Sequence, residues 1–279
     1  KMAPGSIHPV NPRHRPMNIA SWNVNSLKVR QAQVLQWLDA QPATLLGLQE
    51  LKQLDEAIGR EAIEAAGYRI IANGQKTYNG VAWVYPDHWP EPTDIVTDIP
   101  GFEDPQRRVI AATFGDLRVI NLYVVNGESV GSEKYQYKLD WLAALTRWLA
   151  EEAGRYDKRV VVGDFNIAPS DADVHDPEAW KERILCSTPE RDALDRILET
   201  GLTDAFRLFE QPEKAFSWWD YRQANFRRNR GLRIDLILIS EALRENARQC
   251  HIDVEPRRWE RPSDHAPVVL ELDQGAPGS

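Results

Sequence analysis

Val160-Val161-Val162-Gly163-Asp164-Phe165-Asn166-Ile167-Ala168-Pro169 is the stretch whose reading decides the fold. Three consecutive valines make a run too short for a helix, and β-branched residues suit a pleated, fully buried strand. Gly163 breaks that strand, and Pro169 forbids its continuation. Between them Asp164 and Asn166 place a carboxylate and an amide on one side of an extended backbone. Gly, Asp and Asn are also ordinary turn residues, so the stretch gains its meaning from repetition elsewhere.

Four other predicted strands carry polar groups at an edge. They are Ile19-Ala20-Ser21-Trp22-Asn23-Val24-Asn25, Leu45-Leu46-Gly47-Leu48-Gln49-Glu50, Val119-Ile120-Asn121-Leu122-Tyr123, and a last strand announced by Ser263-Asp264-His265. Acid, amide, phenol and imidazole at the edges of apolar strands point to one shared cleft.

With 279 residues, 42% hydrophobic and 27% charged, the chain has the composition of an ordinary globular α/β protein with a sizeable core. Its two cysteines, Cys186 and Cys250, form no Cys-x-x-Cys pair. Reduced thiols in a cytoplasmic compartment are therefore expected, without structural zinc or a disulfide framework. No apolar run reaches the length of a membrane span. The net charge of -8 argues against nucleic-acid binding through bulk charge. Distribution argues the other way: Arg222, Arg227, Arg228, Arg230 and Arg233 are interleaved with Phe216, Trp218, Trp219, Tyr221 and Phe226. Stacking against bases or deoxyribose requires such a mixture.

Taken in order, residues 1–16 hold four prolines and no apolar period, and read as a flexible tail or an expression remnant, with Met17 as the natural start. Helices are expected over 28–40, 55–66, 132–153 and 189–200. Strands are expected over 68–72, 80–85, 108–114, 117–125, 232–239 and 268–272, while 87–105 and 171–185 read as irregular. Two passes of strand, helix and further strands predict two halves of similar build in one domain over 17–274. Two mixed sheets packed face to face with helices outside, an α/β four-layer sandwich, would satisfy the count.

Glu50 and Asp264 are hard oxygen donors, with Asn23 and Asn25 as neutral oxygens nearby. So sparse a set suits Mg²⁺ or Mn²⁺, which keep several waters and bind substrate phosphate. Asp235 lies inside an apolar strand, where a carboxylate is costly unless paired. His265 is the expected partner, oriented and favoured in its cationic form by that acid; a core pair with Arg233 is the competing reading. Metal, carboxylate, imidazole and phenol together suit hydrolysis of a phosphate ester.

These motifs, with Phe216-Ser217-Trp218-Trp219-Asp220-Tyr221-Arg222 and Gly231-Leu232-Arg233-Ile234-Asp235, resemble the bacterial exonuclease III group of the endonuclease/exonuclease/phosphatase superfamily. The likeness runs in order from Met17 to Asp273. It implies the four-layer sandwich, Mg²⁺ dependence, and action on double-stranded DNA at abasic sites and blocked 3′ ends, as a monomer. It implies that Glu50 ligates the metal with Asn23 and Asp264 beside it. Asp164 would handle the proton of the attacking water or of the leaving group, Asn166 would hold the phosphate, and Tyr123 would stand on the phosphate or leaving-group side. His265, held by Asp235, would polarise the phosphate. Trp218 and Leu232 would wall the pocket for a flipped sugar, and Arg108, Arg222 and Arg228 would meet the DNA. Two departures stand out: Val125-Asn126 replaces the common Pro-Gln, and the acidic loop 171–179 carries His175. Flipping out an abasic nucleotide needs an empty cavity, so His175 is expected to narrow it and favour 3′ ends. The competing readings are a small-molecule phosphodiesterase of the same superfamily and a non-catalytic nucleic-acid-binding regulator.

Overall fold

A computed structural model describes residues 16–273 and residue 277. The tail expected over 1–16 lies outside the described residues except for Pro16.

The valine run is buried on both faces, which is why it does not alternate. It belongs to β8 (Lys158–Asp164), where Val160 and Val162 enter a core between two sheets and Val161 points into a second core under helices. A Cβ at Gly163 would lie 2.0 Å from the Leu122 carbonyl oxygen, so only glycine allows the neighbouring strand so close.

One sheet contains β1 (Met17–Asn23), β2 (Thr44–Gln49), β3 (Tyr68–Asn73), β4 (Val81–Pro86), β11 (Ala247–Ile252) and β12 (Val268–Leu272). The other contains β5 (Thr93–Val96), β6 (Val109–Phe114), β7 (Leu117–Tyr123), β8, β9 (Leu202–Asp204) and β10 (Asp235–Ser240). Their orders are β11-β12-β1-β2-β4-β3 and β5-β6-β7-β8-β10-β9. Each sheet has one parallel pair, β1 with β2 and β7 with β8, flanked by antiparallel neighbours. The two halves thus share one topology, as their matching order of elements predicts.

The outer layers are helical. α1 (Leu27–Asp39) and α2 (Arg60–Ala65) bury Val34, Trp37, Leu38 and Ile63 on the first sheet. α3 (Glu133–Arg155) and α5 (Thr188–Leu198) bury Trp141, Leu145, Trp148 and Ile197 on the second. Short helices α4 (Pro177–Trp180) and α6 (Glu241–Arg244) lie in connections. This is the expected four-layer sandwich. Between the sheets, Asn121 receives Gln49 Nε2 at 2.8 Å and donates to the Leu48 and Ala82 carbonyls, so the Asn121 amide is fully engaged while Gln49 Oε1 has no partner among the described residues.

Several boundaries differ from expectation. The irregular span 87–105 contains β5, and β9 and β11 were not anticipated. β5 is a sheet edge with little burial, and β9 has only three residues, so neither carries an alternating apolar pattern. The helix expected over 55–66 breaks at Gly59, leaving a single 3-10 turn before α2. The loop 171–185 holds a 3-10 turn and α4. The strand expected to begin at Leu232 begins at Asp235, because Leu232 instead bridges Val174 and Trp218 across a loop.

Candidate active site

The parallel pairs aim the C-terminal ends of β1, β2, β7 and β8 at one pole of the sandwich, and the chain leaves those ends through strained turns. Asn25, Glu50 and Asn166 all have left-handed backbones, with φ of 45°, 53° and 48°. Such conformations cost free energy outside glycine and cluster where side chains must be re-aimed. Contrary to the expectation of one extended backbone, Asn166 is therefore not in line with Asp164. Its backbone N–H turns back to donate to Asp164 Oδ1 at 3.0 Å.

These turns bring together a buried string of polar groups. Asp235 Oδ2 lies 2.8 Å from His265 Nδ1, and His265 Nε2 lies 3.6 Å from Asp164 Oδ2. Asn23 Nδ2 donates to Asp164 Oδ2 at 2.9 Å and to Glu50 Oε2 at 2.5 Å. Asp164, Asp235, His265 and Asn23 are almost wholly buried, whereas Glu50 is partly open. The Arg233 alternative fails: its guanidinium is taken by Asp173 at 2.7 Å and Asp204 at 2.7 Å.

The charges perturb one another. Burial pushes the Asp164 carboxyl up to about 7, against the pull of the His265 charge and with the help of Asp235 and Glu50. Burial alone would lower His265, yet the charges of Asp235 and Asp164 and the Asp235 hydrogen bond push it up to about 10. Tyr123 is raised well above its ordinary value, first by burial and then by Glu50 and Asp164, so it remains a neutral phenol.

Asp264 sits at the rim, its carboxylate accepting from Trp218 Nε1 at 3.1 Å and Asn25 Nδ2 at 3.3 Å. Among the described residues, the acid and imidazole atoms close enough to surround one ion belong to Glu50, Asp164 and His265. Asp264 stands outside that group. Since His265 is held as a cation with Nδ1 engaged, the available donors are carboxylate oxygens, a set that suits a hard divalent cation.

Arg108 stacks on the Tyr123 ring at 5.0 Å and donates to the Tyr123 carbonyl at 3.2 Å. Arg222 and Arg228 are exposed, Arg222 paired only with nearby Asp220. Trp218 is half-buried, but Leu232 has no exposed surface, being covered by its bridges to Val174 and Trp218. His175 lies beside it, with its backbone N–H and Nδ1 both on the Gly231 carbonyl at 3.1 Å.

Sequence reasoning missed Ser217, Ser263 and Lys52. Ser217 Oγ accepts from the Asp235 N–H, and Ser263 Oγ donates to the Asn23 carbonyl at 2.6 Å. Lys52 Nζ donates to Asn25 Oδ1 at 2.6 Å and lies 3.7 Å from Glu50. The serines sit inside the quoted motifs and were legible there as candidate braces; Lys52 carried no signal.

Residues 20–265 match the Endonuclease/Exonuclease/phosphatase family. The chain belongs to that family. Exodeoxyribonuclease III of Haemophilus influenzae is 38% identical over 269 residues, covering 92% of this chain and 100% of that protein. The 3′-5′ exonuclease NExo from Neisseria meningitidis superposes with a TM-score of 0.89 at 47% identity, covering 92% of this chain and 100% of that one. An AP endonuclease from Archaeoglobus fulgidus superposes with a TM-score of 0.86 at 34% identity, again over 92% and 100%. In this family, then, the polar pole of the sandwich is the candidate active site. Among the described residues no helix is long and apolar enough to cross a membrane.

Proposed function

We propose that the chain is a DNA-repair phosphodiesterase that works on double-stranded DNA with abasic sites or blocked 3′ ends, as a cytoplasmic monomer with one catalytic domain over 17–274. The observation that carries this reading is the buried string Asp235–His265–Asp164–Asn23–Glu50, with a carboxyl raised to about 7 next to an imidazole raised to about 10. Structural ion pairs neutralise their members, whereas this one leaves a carboxyl that titrates near neutrality beside an imidazole that keeps its proton well above it.

Mg²⁺, with Mn²⁺ able to substitute, suits the oxygen donors: Glu50 would hold it, with Asn23 beside it and the rim carboxylate of Asp264 farther out. When bound it would neutralise phosphoryl charge and make water more acidic. The chain's own groups do the rest. Asp164 takes a proton from the attacking water as its oxygen bonds to phosphorus, and the bond to the 3′ oxygen breaks. Cationic His265, Asn166 and Arg108 hold the phosphoryl oxygens. Tyr123, a neutral phenol, donates to the leaving oxygen. Trp218, Arg222 and Arg228 meet the duplex.

His175 favours 3′ ends over internal abasic sites. Support comes from the covered Leu232: with Val174 bridged to it and His175 on the Gly231 carbonyl, the wall that would receive a flipped sugar is occupied by the chain itself. A second structure of the Neisseria relative, a 3′ phosphatase bound to a product DNA hairpin, fits the same preference.

The test uses paired duplexes, one with an internal abasic-site analogue and one with a recessed 3′-phosphate, with Mg²⁺ and with EDTA. Mg²⁺-dependent release of the 3′-phosphate is expected, with weaker cutting at the abasic site. Inactivity on both would sink the reading. His175→Gly is expected to raise the abasic-to-3′-phosphate ratio, and an unchanged ratio would remove His175 from substrate choice.

A further inference from the structure

Lys138, on the inner face of α3, and Glu190, on α5, form an ion pair with no exposed side-chain surface. Lysine is almost never wholly buried unless paired, and a buried pair stabilises a fold little better than apolar residues of the same volume. Its contacts show what an apolar residue could not do. The ammonium's three protons meet three acceptors: Glu190 Oε1, the Asn166 carbonyl at 2.7 Å and the Asn126 carbonyl at 3.1 Å. Those carbonyls belong to the two loops that leave β7 and β8 at the active site.

Asn166 is the residue whose left-handed backbone turns it towards Asp164. Lys138 grips the Asn166 carbonyl from beneath, while the Asn166 side chain donates to the Val124 carbonyl at 2.9 Å and accepts from Asn126 Nδ2 at 3.4 Å. Gly127, next in the second loop, lies against the lysine stem: a Cβ there would come within 3.0 Å of Lys138 Cδ. Glu190 is itself immobilised by the Leu185 N–H and by the Ser187 N–H and hydroxyl.

We infer that Lys138, braced by Glu190, is a positioning residue that sets the spacing of the Asn126 and Asn166 loops and so the placement of Asn166 and Asp164 against the scissile phosphate. This inference rests on the function proposed above.

The control is the buried ion pair that the same helix makes with β7, Arg118–Glu152. Glu152 lies 14 residues from Lys138, roughly 21 Å along a helix. Lys138→Met, Lys138→Met/Glu190→Gln and Glu152→Gln would be compared for melting temperature, for kcat and KM on a 3′-phosphate duplex with Mg²⁺, and for amide hydrogen exchange over 124–128 and 164–168. Both Lys138 variants are expected to lose kcat by about 10- to 100-fold, the scale of a displacement near 1 Å. KM should change little, and exchange should quicken in both loops. The double variant, which leaves no orphaned carboxylate, should recover melting temperature without kcat, and Glu152→Gln should lose stability with kcat kept. Recovery of kcat along with stability in the double variant would overturn the inference, as would an equal loss of kcat in Glu152→Gln. Wild type without DNA cleavage would overturn the proposed function instead, and unchanged loop exchange in the Lys138 variants would then still overturn this inference.

Discussion

The two poles of the sandwich treat buried charge in opposite ways. At the pole where β7 begins, Arg118 and Glu152 are both buried; the guanidinium donates to Glu152 at 2.6 Å, to the Asp94 carbonyl at 2.6 Å and to Thr113 Oγ1 at 3.0 Å. At the pole where β7 ends, Asp164 and Asp235 share His265, and Glu50 lies 3.7 Å from the partly exposed Lys52. Arg108 and Lys138 hold backbone carbonyls of Tyr123, Asn126 and Asn166 rather than these carboxylates. The same scaffold pairs the buried acid with its own cation at the first pole, and at the candidate active site leaves several carboxylates around one imidazole. Burial first, and then the charges of Asp235 and Glu50, lifts Asp164 towards neutrality, and against burial the Asp235 and Asp164 carboxylates lift His265.

The largest effect is expected at the under-compensated pole. Asp164→Asn should lower single-turnover cleavage of a 3′-phosphate duplex by about 10³-fold, within the range for a general base, while DNA binding and the melting temperature stay near wild type. A loss of binding equal to the loss of rate would mean that Asp164 is a structural acid like Glu152.

Breaking the compensated pole should do the reverse. Arg118→Met leaves buried Glu152, among the described residues, with only the exposed Arg155 at 3.7 Å and should cost about 3–5 kcal/mol in urea unfolding, with kcat of the folded enzyme preserved. Replacing both partners by apolar residues should return most of that stability. A fall in kcat would show that the two poles are not independent.

The pH profile sharpens the contrast. kcat/KM should rise as Asp164 loses its proton near neutrality and fall as His265 loses its own at alkaline pH. Asp235→Asn removes the strongest of the charges that raise His265, so the alkaline limb should move down by about one pH unit or more. An unmoved limb would separate His265 from that limb.

The smallest effect concerns acid stability. Asp173 is wholly buried; burial alone would raise its carboxyl, but Arg233 and Arg207 hold it below the ordinary value. Its contribution is therefore present above the ordinary carboxylate range and disappears as pH falls through the depressed value. Asp173→Asn should flatten the acid limb of a stability-pH curve, and a curve parallel to wild type would count against the pairing.

Much of this organisation could be read from particular residues. The valine run, ended by Gly163-Asp164 and flanked by helical spacings, carries the strand, its burial on both faces and its polar end, because β-branching and period are local properties. Asp235 was legible as a carboxylate inside an apolar strand, where its cost demands a partner, and Glu50, Asp164 and His265 were legible as polar groups at the edges of apolar strands. β5 and β9 were not legible, since short or exposed edge strands owe their conformation to neighbours. Neither was Lys138, which reads as one more polar residue in an amphipathic helix until the loops from β7 and β8 close over it.

By itself the sequence determined the alternation of elements, the four-layer class and the roster of reactive side chains, because composition, period and chain-breaking residues act over a few positions. Tertiary structure alone decided which groups meet. Asp164 and Asp235 face each other across antiparallel strands, His265 arrives between them from the approach to β12, and Arg233 turns away to Asp173 and Asp204. Partnership, burial and the resulting proton affinities depend on contacts between residues far apart in the chain, and only the packed sheets bring those into range.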